Sequence, residues 1–268
     1  MKRIDFKKLK KLEYTRAEQL NSISVNLDFC GDDIKVINVT STHENEGKSF
    51  VSMHLWRTCA RNGKRVILLD CDLRKSRIIR DYEGECDEEI VGITHYLAGL
   101  VPLEDIVYKT NIRNADIIPV GKNVSNPINL LKKPRFEKLI EELRKHYDLI
   151  IIDTPPVQPV IDSAYISQKC DGTILVVNYG DATVYEILET KNQLLAAHAT
   201  ILGVVLNSVP YNSGRFYYKT SKYYNRYRYK YYKSNFKYKS YSYGPGYYTG
   251  YYAYGNTAAD DEKTNKED

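Results

Sequence analysis

The chain has 268 residues, 43% of them hydrophobic, and a formal net charge of +5. That length suits one α/β domain of about 200 residues with an appendage, and no run approaches the roughly 20 apolar residues a transmembrane helix needs. Five cysteines, odd in number and without C-x-x-C spacing, point to a reduced, cytosolic chain rather than a disulfide framework. No apolar core follows the charged N-terminus, so no signal peptide is expected. Charge is unevenly spread: Met1 to Arg16 is lysine-rich, Thr190 to Ala259 contains no Asp or Glu, and Asp260 to Asp268 is acidic.

In chain order, Asp5 to Phe29 reads as an amphipathic helix, with Leu9, Leu12, Leu20, Ile23 and Leu27 near helical spacing. Gly31-Asp32-Asp33 is a turn. Lys35 to Thr40 is the first core strand. The loop Thr42-His43-Glu44-Asn45-Glu46-Gly47-Lys48-Ser49 follows, and a helix is expected from Ser49 to Arg61. Strand, loop ending in Gly-Lys-Ser, then helix is the order of a P-loop. Such a loop closes backbone amides around phosphate, reaches the β- and γ-phosphates with a lysine, and offers a hydroxyl to Mg²⁺. The helix N-terminus adds partial positive charge. The first motif position is Thr42 where the pattern has glycine.

Asn62-Gly63-Lys64 ends that helix. The run Val66-Ile67-Leu68-Leu69-Asp70-Cys71-Asp72-Leu73-Arg74 fits a strand buried on both faces of a parallel sheet. Its carboxylates lie at the C-terminal end, where open α/β sheets bind ligands. They alternate across one residue and so point the same way. Tyr82 to Asn114 is less regular, with short helices expected at Ile93–Leu100 and Leu103–Val107. Ala115 to Gly121 is a strand and turn, Ser125 to Leu131 a loop into helix, and Arg135 to His146 an amphipathic helix.

The next strand, Leu149-Ile150-Ile151-Ile152-Asp153, is an apolar run capped by aspartate, the Walker B pattern, in which the carboxylate binds a Mg²⁺ water. Asp162 to Ser167 starts a helix, Gly172 to Asn178 is a buried strand, Ala182 to Ala197 a helix, and Ile201 to Asn207 a last core strand. Alternation of buried strands and helices predicts an α/β fold with a doubly wound, mostly parallel sheet flanked by helices, P-loop NTPase-like. After Pro210 the pattern changes: Tyr alternates with Lys, Arg, Ser and Gly, and few aliphatic residues remain. Such a segment cannot bury enough surface to offset ordering entropy and is read as disordered. Three segments follow: a basic, amphipathic helical stretch at 1–34, a P-loop kinase domain at 35–210 and a tyrosine-rich tail at 211–268.

Taken together these segments resemble the bacterial tyrosine kinases (BY-kinases) of capsule and exopolysaccharide assembly, in their cytoplasmic form. The likeness spans about Glu18 to Pro210 and the tail. It rests on Thr40-Ser41 and Glu46-Gly47-Lys48-Ser49, on Leu69 to Arg74 as the Walker A′ segment, on Asn126-Pro127 with Leu130-Leu131, on Ile152-Asp153-Thr154-Pro155-Pro156, on Gly203 to Asn207 and on the terminal tyrosines. The resemblance implies an ATP- and Mg²⁺-dependent protein-tyrosine kinase that phosphorylates neighbouring copies' tails and regulates capsular or extracellular polysaccharide synthesis and export. Carried over by position, Lys48 would hold the transferring phosphate, Asp70 would take the proton from the tyrosine hydroxyl, and Ser49, Asp72 and Asp153 would serve the metal. Glu46, Gly47, Lys48, Ser49, Phe50 and Asn207 would contact the nucleotide, with Asn207 near the adenine. Tyr243, Tyr247, Tyr248, Tyr251, Tyr252 and Tyr254 would accept phosphate.

The implied partners are a transmembrane activator of the polysaccharide co-polymerase type, other copies of the chain and a cognate tyrosine phosphatase. No nucleic acid is expected. The implied location is cytoplasmic, peripheral on the inner face of the membrane through that partner. The chain departs from the family pattern at Glu44 and Asn45, where Pro and Gly are usual, and at Ser76, usually proline. It also departs at Asn21 and Ser24, which replace the two arginines of a self-assembly motif beginning at Glu18. Loss of those guanidinium forks argues against a stable ring. Two other readings stand beside it: a ParA/MinD-like ATPase, which would carry a lysine at the place of His43, and a catalytically weak homologue whose basic tyrosine-rich tail is a binding module.

Overall fold

The computed structural model describes residues 2–158 and 160–210. The expected disordered tail at 211–268, with all six expected phosphoacceptor tyrosines, lies outside them. In chain order the elements are β1 (Arg3–Phe6), α1 (Tyr14–Asp28), β2 (Val36–Ser41), α2 (Lys48–Arg61), β3 (Val66–Asp70), α3 (Ile78–Asp81), β4 (Gly84–Glu85), α4 (Ile93–Ala98), β5 (Tyr108–Thr110) and β6 (Ala115–Ile118). They continue with α5 (Ile128–Leu131), α6 (Pro134–His146), β7 (Leu149–Asp153), α7 (Asp162–Ser167), β8 (Gly172–Asn178), α8 (Val184–Ala196) and β9 (Ile201–Asn207).

Among the described residues the strands form one sheet in the order β4-β1-β5-β6-β3-β7-β2-β8-β9. From β6 to β9 every pairing is parallel. Only β5 on β6 and β4 on β1 run antiparallel. The central strands are buried on both faces, and the period of two decides which helix each residue meets. Ile37, Val39, Leu149 and Ile151 pack with Leu20, Leu27, Leu55 and Trp56 of α1 and α2. The residues between them, Val36, Ile150 and Ile152, pack with Phe136, Leu139, Leu143 and Ile166 of α6 and α7. Burying a side chain of this size is worth about 1.5–3 kcal/mol, so both layers anchor β2, β3 and β7 firmly.

The chain leaves β2 for β3 in one direction and later places β8 on the other side of β2. That reversal opens a crevice above the carboxyl ends of β3, β7 and β2, the usual ligand position in such sheets. No helix among the described residues is long and apolar enough to cross a membrane.

Three expectations are corrected. The N-terminal helix begins at Tyr14 rather than Asp5, and Arg3–Phe6 is instead a strand pairing β5 and β4. Ile4 and Phe6 are buried at a spacing of two, and Phe6 meets Trp56 edge-on at 6.1 Å; the helical spacing of Leu9, Leu12 and Leu20 does not extend back to Asp5, where the chain alternates instead. The short helix expected at Leu103–Val107 is only a 3₁₀ turn, Leu103–Asp105. The strand at Ile201–Asn207 forms, but as the sheet's edge, with Val204 57% exposed and Leu206 42% exposed. An apolar β-branched run signals a strand without saying how many neighbours it will have.

Candidate active site

The loop between β2 and α2 is built around two left-handed residues. Gly47 caps α2 with φ 91°, and a Cβ there would lie 2.0 Å from Asn207 Nδ2. Only glycine fits both the backbone and the contact. Asn207, the last residue of β9, donates from Nδ2 to the Glu46 carbonyl at 3.0 Å and so clasps the loop from a strand end two places along the sheet. Asn45 is the other, at φ 65°, and asparagine is the side chain best suited to that region after glycine. This is how the loop holds its shape without the usual Pro-Gly. Glu44 ties outward to Lys75 at 2.7 Å.

The Glu46 side chain turns inward and is fully buried, accepting from the His43 amide at 2.8 Å and the Asn178 amide at 3.4 Å. Its carboxylate is thus spent on two backbone amides, while the Glu46 carbonyl accepts from Asn207. Thr42, at the position where the pattern has glycine, is buried with its Oγ1 unpartnered.

Four charged side chains meet above the three strand ends. Asp70 and Asp153 are the terminal residues of β3 and β7 and stand directly opposite in the parallel register. Lys48 Nζ reaches Asp72 Oδ2 at 3.0 Å. Ser49 Oγ donates to Asp153 Oδ2 at 2.6 Å, and Ser52 Oγ lies 2.9 Å from Asp153 Oδ1. The Asp72 amide donates to Asp70 Oδ1 at 3.3 Å, the Lys75 amide donates to Asp72 Oδ1 at 3.1 Å, and Ser76 Oγ hydrogen-bonds Asp70 Oδ2. Ser76 thus puts a donor on Asp70 where the family pattern has a proline that could not.

The electrostatics follow from burial and like charge. Burial, then the neighbouring Asp153 charge, pushes the Asp70 carboxyl up to about 8, with the Ser76 hydrogen bond opposing. Burial likewise raises Asp153, against Lys48, Ser49 and Ser52. Burial alone would lower Lys48, yet Asp153 and Asp72 outweigh it and hold the ammonium above its ordinary value. Three carboxyl groups crowd one ammonium in a buried corner, an oxygen-rich donor set suited to a divalent cation. No group of three or more His, Cys, Asp or Glu among the described residues is placed to hold a metal ion by itself. Mg²⁺ commonly binds through one or two protein oxygens, with phosphate and water completing its shell.

Beside the loop, Phe50, Ile23, Val204 and Asn207 help line a groove of about 590 Å³. Phe50 is fixed by the His54 ring 4.3 Å away. Arg74 lies outside the cluster, held by Asp162 at 2.7 Å and the Ser125 carbonyl at 3.1 Å. His43 lies 3.2 Å from Glu186 of α8.

The structure therefore brings Lys48, Ser49, Asp70, Asp72 and Asp153 together, with Gly47, Phe50 and Asn207 on the adjoining wall. Ser52 is the partner that the sequence reading missed; its position one turn beyond Ser49, on the same face of α2, was the available signal. Ser24, which takes the place of a family arginine, is 1% exposed, with its Oγ 3.3 Å from Cys59 Sγ. A guanidinium there would have to displace the α1–α2 packing.

Comparisons with known proteins agree with this geometry. A family model described as an AAA domain matches residues 34–199. Tyrosine-protein kinase CpsD of Streptococcus pneumoniae serotype 4 is 40% identical over 202 residues, 75% of this chain and 88% of the relative. The kinase domain of Escherichia coli tyrosine kinase ETK superposes with a TM-score of 0.69 at 28% identity, covering 74% of this chain and 77% of that one. The septum site-determining protein MinD of Pyrococcus horikoshii OT3, complexed with Mg-ADP, has a TM-score of 0.56 at 24% identity, covering 68% and 72%; that likeness is one of fold alone.

Proposed function

The chain belongs to the bacterial tyrosine-protein kinase family, and from that premise we propose that it transfers the γ-phosphoryl group of ATP to protein tyrosines, its own tail among them. The observation that carries this reading is the meeting of Lys48, Asp70, Asp72 and Asp153 over three adjacent strand ends. The ATPase alternative has less behind it. A histidine 3.2 Å from Glu186 stands at position 43, where that group carries a lysine, and an imidazole is too short to reach as a lysine does.

In the proposed mechanism, the amides of the Glu46–Ser49 segment and the N-terminus of α2 bind the β-phosphate. Lys48 swings from Asp72 to the β- and γ-phosphate oxygens. The base occupies the groove beside Phe50 and Asn207. Ser49 would ligate Mg²⁺ directly, and Asp72 and Asp153 would hold it through water. When bound, the cation supplies positive charge to the phosphate oxygens during in-line transfer. Asp70 accepts the proton of the incoming tyrosine hydroxyl as the bond to phosphorus forms. A tyrosine hydroxyl has an ordinary pKa of roughly 10, so a base whose own pKa lies near the working pH is better matched than an ordinary carboxylate. The carboxyl pushed up to about 8 by burial and Asp153 meets that requirement.

The acceptors are Tyr243, Tyr247, Tyr248, Tyr251, Tyr252 and Tyr254, modified between copies. The proposed setting is the inner face of the cell membrane, through a transmembrane activator of the polysaccharide co-polymerase type, with a phosphatase resetting the tail and polysaccharide export as the output. The test mixes full-length Lys48→Ala protein with a copy that keeps Lys48 but carries phenylalanine at those six tyrosines. After incubation with Mg-ATP, mass spectrometry reads the tail of the Lys48→Ala chain. Phosphotyrosine there supports transfer between copies. Its absence, with wild-type protein also unmodified, overturns the kinase reading.

A further inference from the structure

A second cleft lies at the other end of the sheet, where α2 ends and β3 and β6 begin. Its volume is about 800 Å³, and Leu9, Ala60, Ile112, Arg57, Arg61 and Arg113 are among its lining residues. None of the residues placed at the active site lines it.

The three arginines share this cleft with no carboxylate among its described lining residues. Arg57 is 9% exposed and spends Nη1 on two carbonyls, Leu9 at 2.9 Å and Lys10 at 2.8 Å. Its Nε and Nη2 find no acceptor among the described residues. Arg61 and Arg113 are exposed, and neither pairs with a carboxylate among the described residues. The contrast with nearby basic side chains is sharp: Lys7 pairs with Glu85, Lys8 with Glu83 and Lys64 with Asp28. Burial and the Arg61 charge hold the Arg57 guanidinium below its ordinary value, the signature of cations crowded without an anion.

Planar guanidiniums that converge from several sides recognise phosphate through paired N–H donors. The floor of this cleft is not bare charge, however. Leu9, Ala60 and Ile112 give it an apolar wall, which a free phosphate would leave unused but an aromatic ring would cover. A bilayer surface is the poorer fit, because a flat array of headgroups cannot reach a recessed group such as Arg57. The chain itself offers the matching ligand: 25 tyrosines, and no Asp or Glu from Thr190 to Ala259. The segment Tyr243 to Tyr254 carries no charged side chain at all, so the cleft has nothing to grip until phosphorylation adds roughly −1.5 to −2 charges per tyrosine.

We propose that this cleft is a phosphotyrosine-binding site, with Arg57, Arg61 and Arg113 on the phosphate and Leu9 and Ile112 against the ring, and that its ligand is the phosphorylated 243–254 segment of a second copy. The site rests on the kinase reading for its ligand but not for its chemistry. It would make each product of transfer a tether between copies, in a chain whose α1 lacks the family's arginine forks.

The experiment is fluorescence anisotropy with full-length protein, phosphatase-treated and free of nucleotide. The probe is a labelled synthetic peptide of residues 243–254, with phosphate on Tyr247 and Tyr251 or with none. The phosphopeptide binds and the unmodified peptide binds at least about tenfold more weakly. Arg61→Gln and Arg113→Gln each weaken the phosphopeptide by about tenfold, the loss of one charged hydrogen-bonding partner. Both positions are exposed, and unchanged circular dichroism melting verifies the fold. Phenyl phosphate competes better than inorganic phosphate, because it brings the ring. Lys48→Ala protein, which abolishes transfer, binds the phosphopeptide as wild type does, so failure of the kinase reading and failure of this site give different results. Equal binding of both peptides overturns the proposal, as does binding indifferent to Arg61 and Arg113. So does arginine-dependent binding to phosphatidylglycerol vesicles without binding of the phosphopeptide.

Discussion

Asp70 and Asp153 end two adjacent parallel strands side by side, each almost wholly buried, with the Cys71 amide donating to the Asp153 carbonyl at 2.8 Å between them. Two carboxyl groups so placed do not readily ionise together, and burial with the Asp153 charge holds the Asp70 proton up to about pH 8, while Lys48, Ser49, Ser52 and Ser76 surround the pair. The site is thus electrostatically incomplete, and its chemistry follows from what would complete it.

Asp70→Asn separates the base role from the structural one. The amide keeps the shape, removes the proton acceptor and relieves a like-charge contact. Phosphotransfer falls by about 10²-fold or more, while melting temperature stays level or rises. Initial rates of tail phosphorylation and a thermal melt measure both. An unchanged rate would remove Asp70 from the chemistry.

Gly47→Ala strains the loop twice, through its φ of 91° and through contact with Asn207 Nδ2. It costs about 1–3 kcal/mol of stability and abolishes nucleotide binding. Adding Asn207→Ala removes the contact but not the backbone strain, so the double variant recovers part of the stability. Denaturant unfolding of the four proteins of the cycle gives the coupling; purely additive losses would mean the clasp does not exist.

His54 gives the clearest pH dependence. Burial, then the Arg57 charge, lowers its pKa from 6.5 to about 4. The unfolded chain therefore binds a proton in a window where the folded chain does not, and stability is lost as pH falls from 6.5 toward about 4. The loss is about 3 kcal/mol at most. Urea unfolding at about pH 7 and about pH 5 shows a smaller drop for His54→Leu than for wild type. An equal drop would place the titration elsewhere.

Much of the site was legible because its parts sit at strand ends. Asp70, Asp72 and Asp153 each follow an apolar run that fixes their position along the sheet, Lys48 follows the glycine that opens α2, and alternation across Cys71 fixes a shared direction for two of the aspartates. What escaped were relations between segments distant in sequence. Nothing in Arg3–Phe6 announces that β5 and β4 will pair with it, and nothing in Ile201–Asn207 marks it as an edge. The Asn207 clasp on Glu46 depends on a packing angle that no spacing encodes, whereas Ser52, one turn beyond Ser49, lies on a face that the helical period already marks. Asn45 and Ser76 read as departures from a pattern, yet one supplies a left-handed turn and the other a hydrogen-bond donor to Asp70.

The central claim is that Lys48 and three aspartates grip one metal-bound triphosphate, and calorimetric titration of ATP into wild-type and Lys48→Ala protein, with and without Mg²⁺, tests it most directly. The account predicts one-site binding by wild type that needs Mg²⁺ for full affinity and weakens by at least about tenfold without Lys48. Absence of heat from wild type, or identical isotherms for the two proteins, would contradict it.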